Sequence, residues 1–208
     1  KSGGRIMSAE EYRESLRSYS PTVYVDGDII ESVADEPRLA PGIRAVGVTY
    51  DFAQKPEFGG VMLADQATSG KTVNRMLHIN RHSEDLLSKL EAVRLLCRES
   101  GCAQRYLTHD ALNAIYQSTW CMAEQRSGSE YHARFLEYLH DIQDRDLTLG
   151  VAMTDAKGER SLRPHAQTNP NSYVHISERR ADGIVLSGTK AIVTGGPYMH
   201  ELLVMPCR

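Results

Sequence analysis

The chain has 208 residues, with 24 Lys and Arg against 27 Asp and Glu, for a formal net charge of -3. It has no basic block of the kind that binds nucleic acid, no apolar run near the roughly 20 residues of a membrane span, and no signal-peptide pattern. What remains is a cytoplasmic enzyme or interaction module of one large or two small domains, long enough to bury a real core.

Ser8 and Glu11 make a capping box that opens a helix over about 9–18, with Tyr12 and Leu16 on one face. Val23-Tyr24-Val25, Asp26-Gly27 and Ile29-Ile30 predict a hairpin near 23–30, because Asp-Gly tolerates the positive φ of a tight turn. Pro41 marks a helix start, with Ile43, Val46 and Tyr50 at helical spacing and a stop before Pro56. Gly70-Lys71-Thr72 mimics the end of a phosphate-binding loop, but Asp65 stands where that motif needs glycine; a polar helix start is expected instead. His78 and His82, four apart, read as a solvated helix face rather than a metal pair.

Three longer helices are predicted next. Ser83, Glu84 and Asp85 open one whose apolar face is Leu86, Leu87, Leu90, Val93, Leu96 and Cys97. His109-Asp110 leads into a second carrying Leu112, Ile115, Tyr116 and Trp120. The third spans 131–144, with Phe135, Tyr138, Leu139 and Ile142 as its stripe. Near residue 147 helices give way to strands: Tyr173 to Ile176, Ile184 to Leu186, Ala191 to Val193, and Leu202 to Met205, separated by turns at Asp182-Gly183 and Ser187-Gly188. A closing apolar strand with no covering element implies a half-built sheet and a truncated chain. Cys97, Cys102, Cys121 and Cys207 fit neither a zinc site nor a secreted disulfide framework and read as reduced thiols.

The segment Ala152 to Arg160 concentrates chemistry at the helix-to-strand change: Thr154, Asp155, Lys157, Gly158 and Arg160 lie in one short loop. Freed backbone amides with Lys157 and Arg160 would suit a pyrophosphate, and Thr154 a flavin edge; a polar surface turn has the same composition.

The pattern Ala-Met-Thr-Asp-x-Lys-Gly-x-Arg resembles the flavin loop of the 4-hydroxybutyryl-CoA dehydratase branch of the 4-hydroxyphenylacetate 3-hydroxylase superfamily. The likeness continues through Leu162, Pro164, Ala166-Gln167, Asp182-Gly183, Gly188, Lys190-Ala191, Thr194-Gly195 and His200-Glu201. Earlier it takes in Gly70 to Arg75, Arg94 to Leu96 and Asp110 to Ala114. The resemblance implies an α+β protein. A helical N-terminal domain over 1–146 would precede the start of a β-barrel-like, acyl-CoA dehydrogenase-like middle domain over 147–208, without the C-terminal helical bundle. It implies FAD held by Met153, Thr154, Asp155, Ala156, Lys157, Gly158, Glu159 and Arg160, with Ile192, Val193 and Thr194 as a second segment. The Thr194 hydroxyl would stand near the isoalloxazine and the reacting atom.

The family's dehydratases also hold an iron–sulfur cluster. Here Cys102 falls on its first helix ligand but Tyr106 on the second, and a phenol is a poor substitute for a thiolate, so no metal is expected, with Cys102 a ligand only where such a cluster is retained. That shifts the expected reaction towards an FADH2-using phenol hydroxylase supplied by a flavin reductase. Arg105, Tyr106 and His109 would then orient a small phenolic substrate, Val151 standing about where the hydroxylases carry a histidine. The alternatives are a 4-hydroxybutyryl-CoA dehydratase or vinylacetyl-CoA isomerase acting on an acyl-CoA, and a non-catalytic fragment. A homo-oligomer, dimer or tetramer, is expected, since a neighbouring subunit would complete the pocket.

Overall fold

In the computed structural model, which describes residues 4–125, 130–156, 158–159 and 161–206, helix α1 (Ala9–Leu16) starts as its sequence dictates. Ser8 Oγ accepts from the Glu11 amide while the Glu11 carboxylate accepts from the Ser8 amide, closing the capping box. Strands β1 (Tyr24–Val25) and β2 (Asp28–Ile29) form the expected hairpin, with Asp26 at φ 52 and Gly27 at φ 93. Helix α2 (Ala40–Gln54) carries Pro41 in its first turn and buries Ile43, Val46 and Tyr50 against Tyr12 and Leu16.

The short α3 (Gly59–Met62) leads into β3 (Leu63–Asp65), which pairs antiparallel with β4 (Thr72–Asn74). Gly70, at φ 66, lies in the loop of this hairpin, so Gly70-Lys71-Thr72 is a turn into a strand and not a helix start. The buried Arg75 donates to the carbonyls of Gly60 (3.2 Å), Leu63 (2.6 Å) and Val61, using its planar fork to satisfy the end of α3. His78 and His82 both have extended backbone, and His78 is buried; they share no helix face.

Helix α4 (Ser83–Ser100) forms where predicted but turned about its axis. Ala92 and Leu96 face the core, while Leu86, Leu87 and Leu90 are 50, 65 and 53% exposed and Cys97 is exposed. Gly101, at φ 76, stops the helix in a left-handed cap. Helix α5 (Tyr106–Gln125) begins three residues before His109 and buries Leu112, but Trp120 is 43% exposed. Helix α6 (Tyr131–Asp144) matches its predicted span, and Phe135, Leu139 and Ile142 pack with Leu112, Leu147 and Leu149.

Beyond α6, β5 (Leu149–Ala152) pairs parallel with β8 (Glu201–Val204), and β6 (His175–Arg179) pairs antiparallel with β7 (Ile184–Ser187). The described strands form four two-stranded sheets, and no barrel closes among them. Strand β6 starts later than predicted and takes in Glu178 and Arg179. Ala191 to Val193 is not a strand, because Ile192 sits at φ 58, which breaks an extended run.

One buried polar network ties these parts together. Arg105, 0% exposed, donates from Nη2 to Asp146 Oδ1 and to the Leu147 carbonyl, both at 3.0 Å, and stacks 4.4 Å over the Tyr50 ring. The other Asp146 oxygen accepts from the Met7 amide at 3.1 Å, and Tyr50 Oη bonds Thr148 Oγ1 at 2.5 Å. Asp146 itself turns the chain at φ 49, a conformation Asp tolerates better than most residues.

Removing one member strands the other's charge in the core. Asp146→Ala is expected to cost about 3–5 kcal/mol in urea denaturation of the complete protein, with Arg105→Met/Asp146→Leu closer to wild type. Burial pushes His109 and His200 down to about 4, with Lys89 beside the first and Arg105 and Arg145 beside the second adding to the fall. Both stay neutral in the fold while the unfolded chain protonates from about pH 6.5 downwards. Stability is therefore full above that pH and falls towards pH 4, by about 1.4 kcal/mol per unit for each imidazole. Denaturation at a series of pH values measures this slope, and His200→Asn should make it shallower.

Candidate functional site

The helix-to-strand junction places the candidate residues. β5 runs out of the Asp146 turn and ends at Ala152, so the network above fixes where the loop from Met153 begins. That loop is stitched to the segment before Gly195. The Ala156 amide donates to the Thr189 carbonyl at 2.9 Å, and the Ala191 amide to the Thr154 carbonyl at 2.8 Å. Asp155 and Lys190 face each other across this bridge.

Among the predicted cofactor residues, Met153 is 63% and Ile192 81% exposed, and Thr154 and Thr194 are exposed too. The two threonine hydroxyls hold no hydrogen bond among the described residues, which leaves them free to meet a ligand edge. Asp155 turns inward, with Oδ1 accepting from the Val174 amide at 3.0 Å. Ala156, Gly158 and Val193 are half-buried. Gly158 lies against the Gln167 side chain, which brackets Glu159 by accepting from its amide and donating to its carbonyl, each at 2.8 Å. Lys157 and Arg160 lie outside the described residues. Apolar surface flanked by unpaired hydroxyls suits a flat heteroaromatic ring, and no unneutralised carboxylate of Asp155 opposes a pyrophosphate, because Lys190 pairs it at 2.9 Å.

The residues expected to orient substrate are divided by the fold. Arg105 is buried in the network through Nη2, while its Nε and Nη1 hold no hydrogen bond among the described residues. His109 is buried, its Nε2 bonded to Asn80 Oδ1 at 3.1 Å. Tyr106 alone of the three reaches the surface, 39% exposed, with the Lys89 ammonium 5.9 Å over its ring. Cys102 is half-buried, 3.9 Å from Gln104 Nε2. One thiol and one phenol at this stretch do not fit the thiolate pair of a conventional iron–sulfur cluster.

Two features escaped the sequence. Gln104 Oε1 is buried without a hydrogen-bond partner and lies where a side chain on Gly195 would meet it, at 2.9 Å. No motif marks it, since only the fold brings α5's start to Gly195. Ser15 and His200 also pair, at 2.7 Å, as a nucleophile and base would. His200 Nδ1, however, accepts from the Thr148 amide at 2.9 Å, so its proton is on Nε2 and points at Ser15 Oγ. Ser15 in turn donates to the Tyr12 carbonyl at 2.6 Å; the pair is a strut, not an activated serine.

Comparison with known proteins gives consistent relatives. The family model described as 4-hydroxyphenylacetate 3-hydroxylase N terminal matches residues 8–208. The 4-hydroxybutyryl-CoA dehydratase/vinylacetyl-CoA-Delta-isomerase of Clostridium aminobutyricum is 41% identical over 97% of the chain and 41% of its own length. The solved structure of an oxygen-tolerant archaeal 4-hydroxybutyryl-CoA dehydratase from N. maritimus superposes with TM-score 0.91 at 37% identity, covering 97% of this chain and 40% of that one. The oxygenase component of 4-hydroxyphenylacetate 3-monooxygenase, crystallised with FAD, gives TM-score 0.81 at 23% identity, covering 96% and 41%, and shows the shared fold. The chain thus spans about two-fifths of the length of the relatives it matches.

Gly195 offers a sharp test of the geometry. At φ 72 a side chain is strained there, and one would also have to displace the side chains of Met199, Tyr198 and Gln104. Gly195→Ala should cost about 1–3 kcal/mol in thermal or urea unfolding, whereas Gly59→Ala, where space is open, should stay within about 0.5 kcal/mol.

Proposed function

The chain belongs to the 4-hydroxyphenylacetate 3-hydroxylase N-terminal family, and from that premise we propose that it forms the flavin-binding front portion of an FAD-dependent enzyme acting on an acyl-CoA ester. In this reading residues 1–146 form the N-terminal helical domain and 147–208 open an acyl-CoA dehydrogenase-like middle domain. Met153 to Arg160 with Ile192 to Thr194 line the flavin. When bound, FAD supplies the electron-transfer chemistry. The chain's own residues shape its seat: Thr154 and Thr194 offer neutral hydroxyls to the ring edge, and Met153 and Ile192 offer apolar cover.

The observation that carries the acyl-CoA branch is the 41% identity to the Clostridium dehydratase/isomerase over nearly the whole chain. It outweighs the order suggested by the sequence alone, in which the phenol hydroxylase came first. Tyr106 keeps that second reading in play, because a phenol in place of a cluster thiolate takes away the Lewis acid that dehydration of an unactivated 4-hydroxyacyl-CoA calls for. Shifting the double bond of vinylacetyl-CoA involves the more acidic proton beside the thioester and makes a smaller demand. We therefore place isomerisation ahead of dehydration. Tyr106, at the exposed start of α5, is the residue of this chain best placed to meet substrate there. A dimer or tetramer and, for the hydroxylase, a partner reductase complete the proposal.

Complete protein purified without oxygen and loaded with FAD should interconvert vinylacetyl-CoA and crotonyl-CoA, and Tyr106→Phe should slow turnover about 10- to 100-fold. Inertness towards CoA esters, together with oxygen-dependent hydroxylation of a phenol by the reduced flavoprotein, would transfer the assignment to the second reading.

A further inference from the structure

The candidate flavin loop contains a charge pair whose two side chains are turned out of solvent. Asp155 and Lys190 lie 2.9 Å apart with side chains only 9 and 8% exposed. Lys190 Nζ also donates to the Met153 carbonyl at 3.1 Å, while Asp155 Oδ1 accepts from the Val174 amide at 3.0 Å. Three stretches of irregular chain, around Met153, Val174 and Lys190, thus converge on one ion pair. None of the three has a helix or wide sheet to hold it. Gly188, at φ 133, permits the crossing, since a side chain there would run into the backbone of Tyr173 and Val174.

We propose that Lys190 and Asp155 are positioning residues, a buried clamp that sets the shape of the Met153 to Ala156 backbone and so the affinity of the site for FAD. This inference rests on the FAD reading above and reassigns Asp155 from cofactor contact to scaffold. A surface ion pair would contribute little, but this one is shielded from water and each partner holds a further hydrogen bond, so its geometry is well defined. Its effect on the site is indirect. By pinning the Met153 carbonyl and the Thr154–Ala191 bond on either side, it keeps the Thr154 hydroxyl facing outward. Loops that carry ligand contacts depend on such supporting bonds for affinity. Because the pair is neutral overall, it adds rigidity without adding a net charge beneath the cofactor.

The test is FAD titration of the complete protein, followed by flavin fluorescence, alongside the melting temperature of the FAD-free form. Lys190→Met should weaken FAD binding by about tenfold or more while the FAD-free protein still melts cooperatively, and Lys190→Arg, which keeps the charge, should restore most of the affinity. Should Lys190→Met fail to fold, Lys190→Met/Asp155→Asn leaves no unpaired buried charge and carries the same expectation. The clamp is overturned if the folded variants bind FAD as tightly as wild type, whatever happens to their melting temperature. Failure of the wild-type protein to take up FAD at all is a different result, and removes the flavin reading along with the clamp.

Discussion

The contact between Arg105 and Asp146 is the constraint on which the other parts depend. Asp146 ends the helical half in a left-handed turn, and its two oxygens reach in opposite directions, one to Arg105 before α5 and one to the Met7 amide before α1. Arg105 sits over the ring of Tyr50 of α2, and Tyr50 passes the connection to Thr148. Four segments far apart in sequence therefore meet around one ion pair. Buried ion pairs seldom add much stability compared with apolar replacements, but a half-broken one is costly, and the arrangement selects one geometry over its neighbours.

The consequence for function is positional. Thr148 and His200 exchange two hydrogen bonds at the entrance to the β5–β8 pair, through the Thr148 amide to His200 Nδ1 and the His200 amide to the Thr148 carbonyl. From there β5 delivers Met153 at one end, and the chain leading to β8 delivers Thr194 and Gly195. On the α5 side, Arg105 anchors the backbone between Gln104 and Tyr106, so that Gln104 reaches Gly195 and Tyr106 reaches the surface. The same pair that closes the core thereby fixes the candidate substrate segment relative to the candidate flavin loop. Arg105 itself is fully enclosed, with Nη2 committed to Asp146 and the Leu147 carbonyl while Nε and Nη1 hold no hydrogen bond among the described residues.

Local chemistry made much of this fold legible. The capping box of Ser8 and Glu11, the Asp26-Gly27 turn, Pro41 and the stripe of α6 each act over a few residues, and each produced the element it predicts. The α4 stripe misled because periodicity identifies an apolar face without saying what will cover it. Ala92 and Leu96 won the core, and Leu86, Leu87 and Leu90 were left outside. Ala191 to Val193 has strand composition, but the bridge between Asp155 and Lys190 and the positive φ of Ile192 decide its path, and both depend on tertiary structure. The β3–β4 hairpin was missed for a related reason: short strands with polar alternation, as in Thr72 to Asn74, carry little signal alone. For the site, the loop is recognisable as a motif, while the placement of Gln104 and Lys190 is not, because each is set by a contact with residues far along the chain.

The central claim is that the loop after β5 and the segment before Gly195 together seat a flavin. A crystal structure of the complete protein grown with FAD tests this most directly. The account predicts the isoalloxazine edge within hydrogen-bonding distance of the Thr154 and Thr194 hydroxyls, with the Asp155–Lys190 pair intact behind the loop. A flavin bound elsewhere, or one contacting neither threonine, would contradict it.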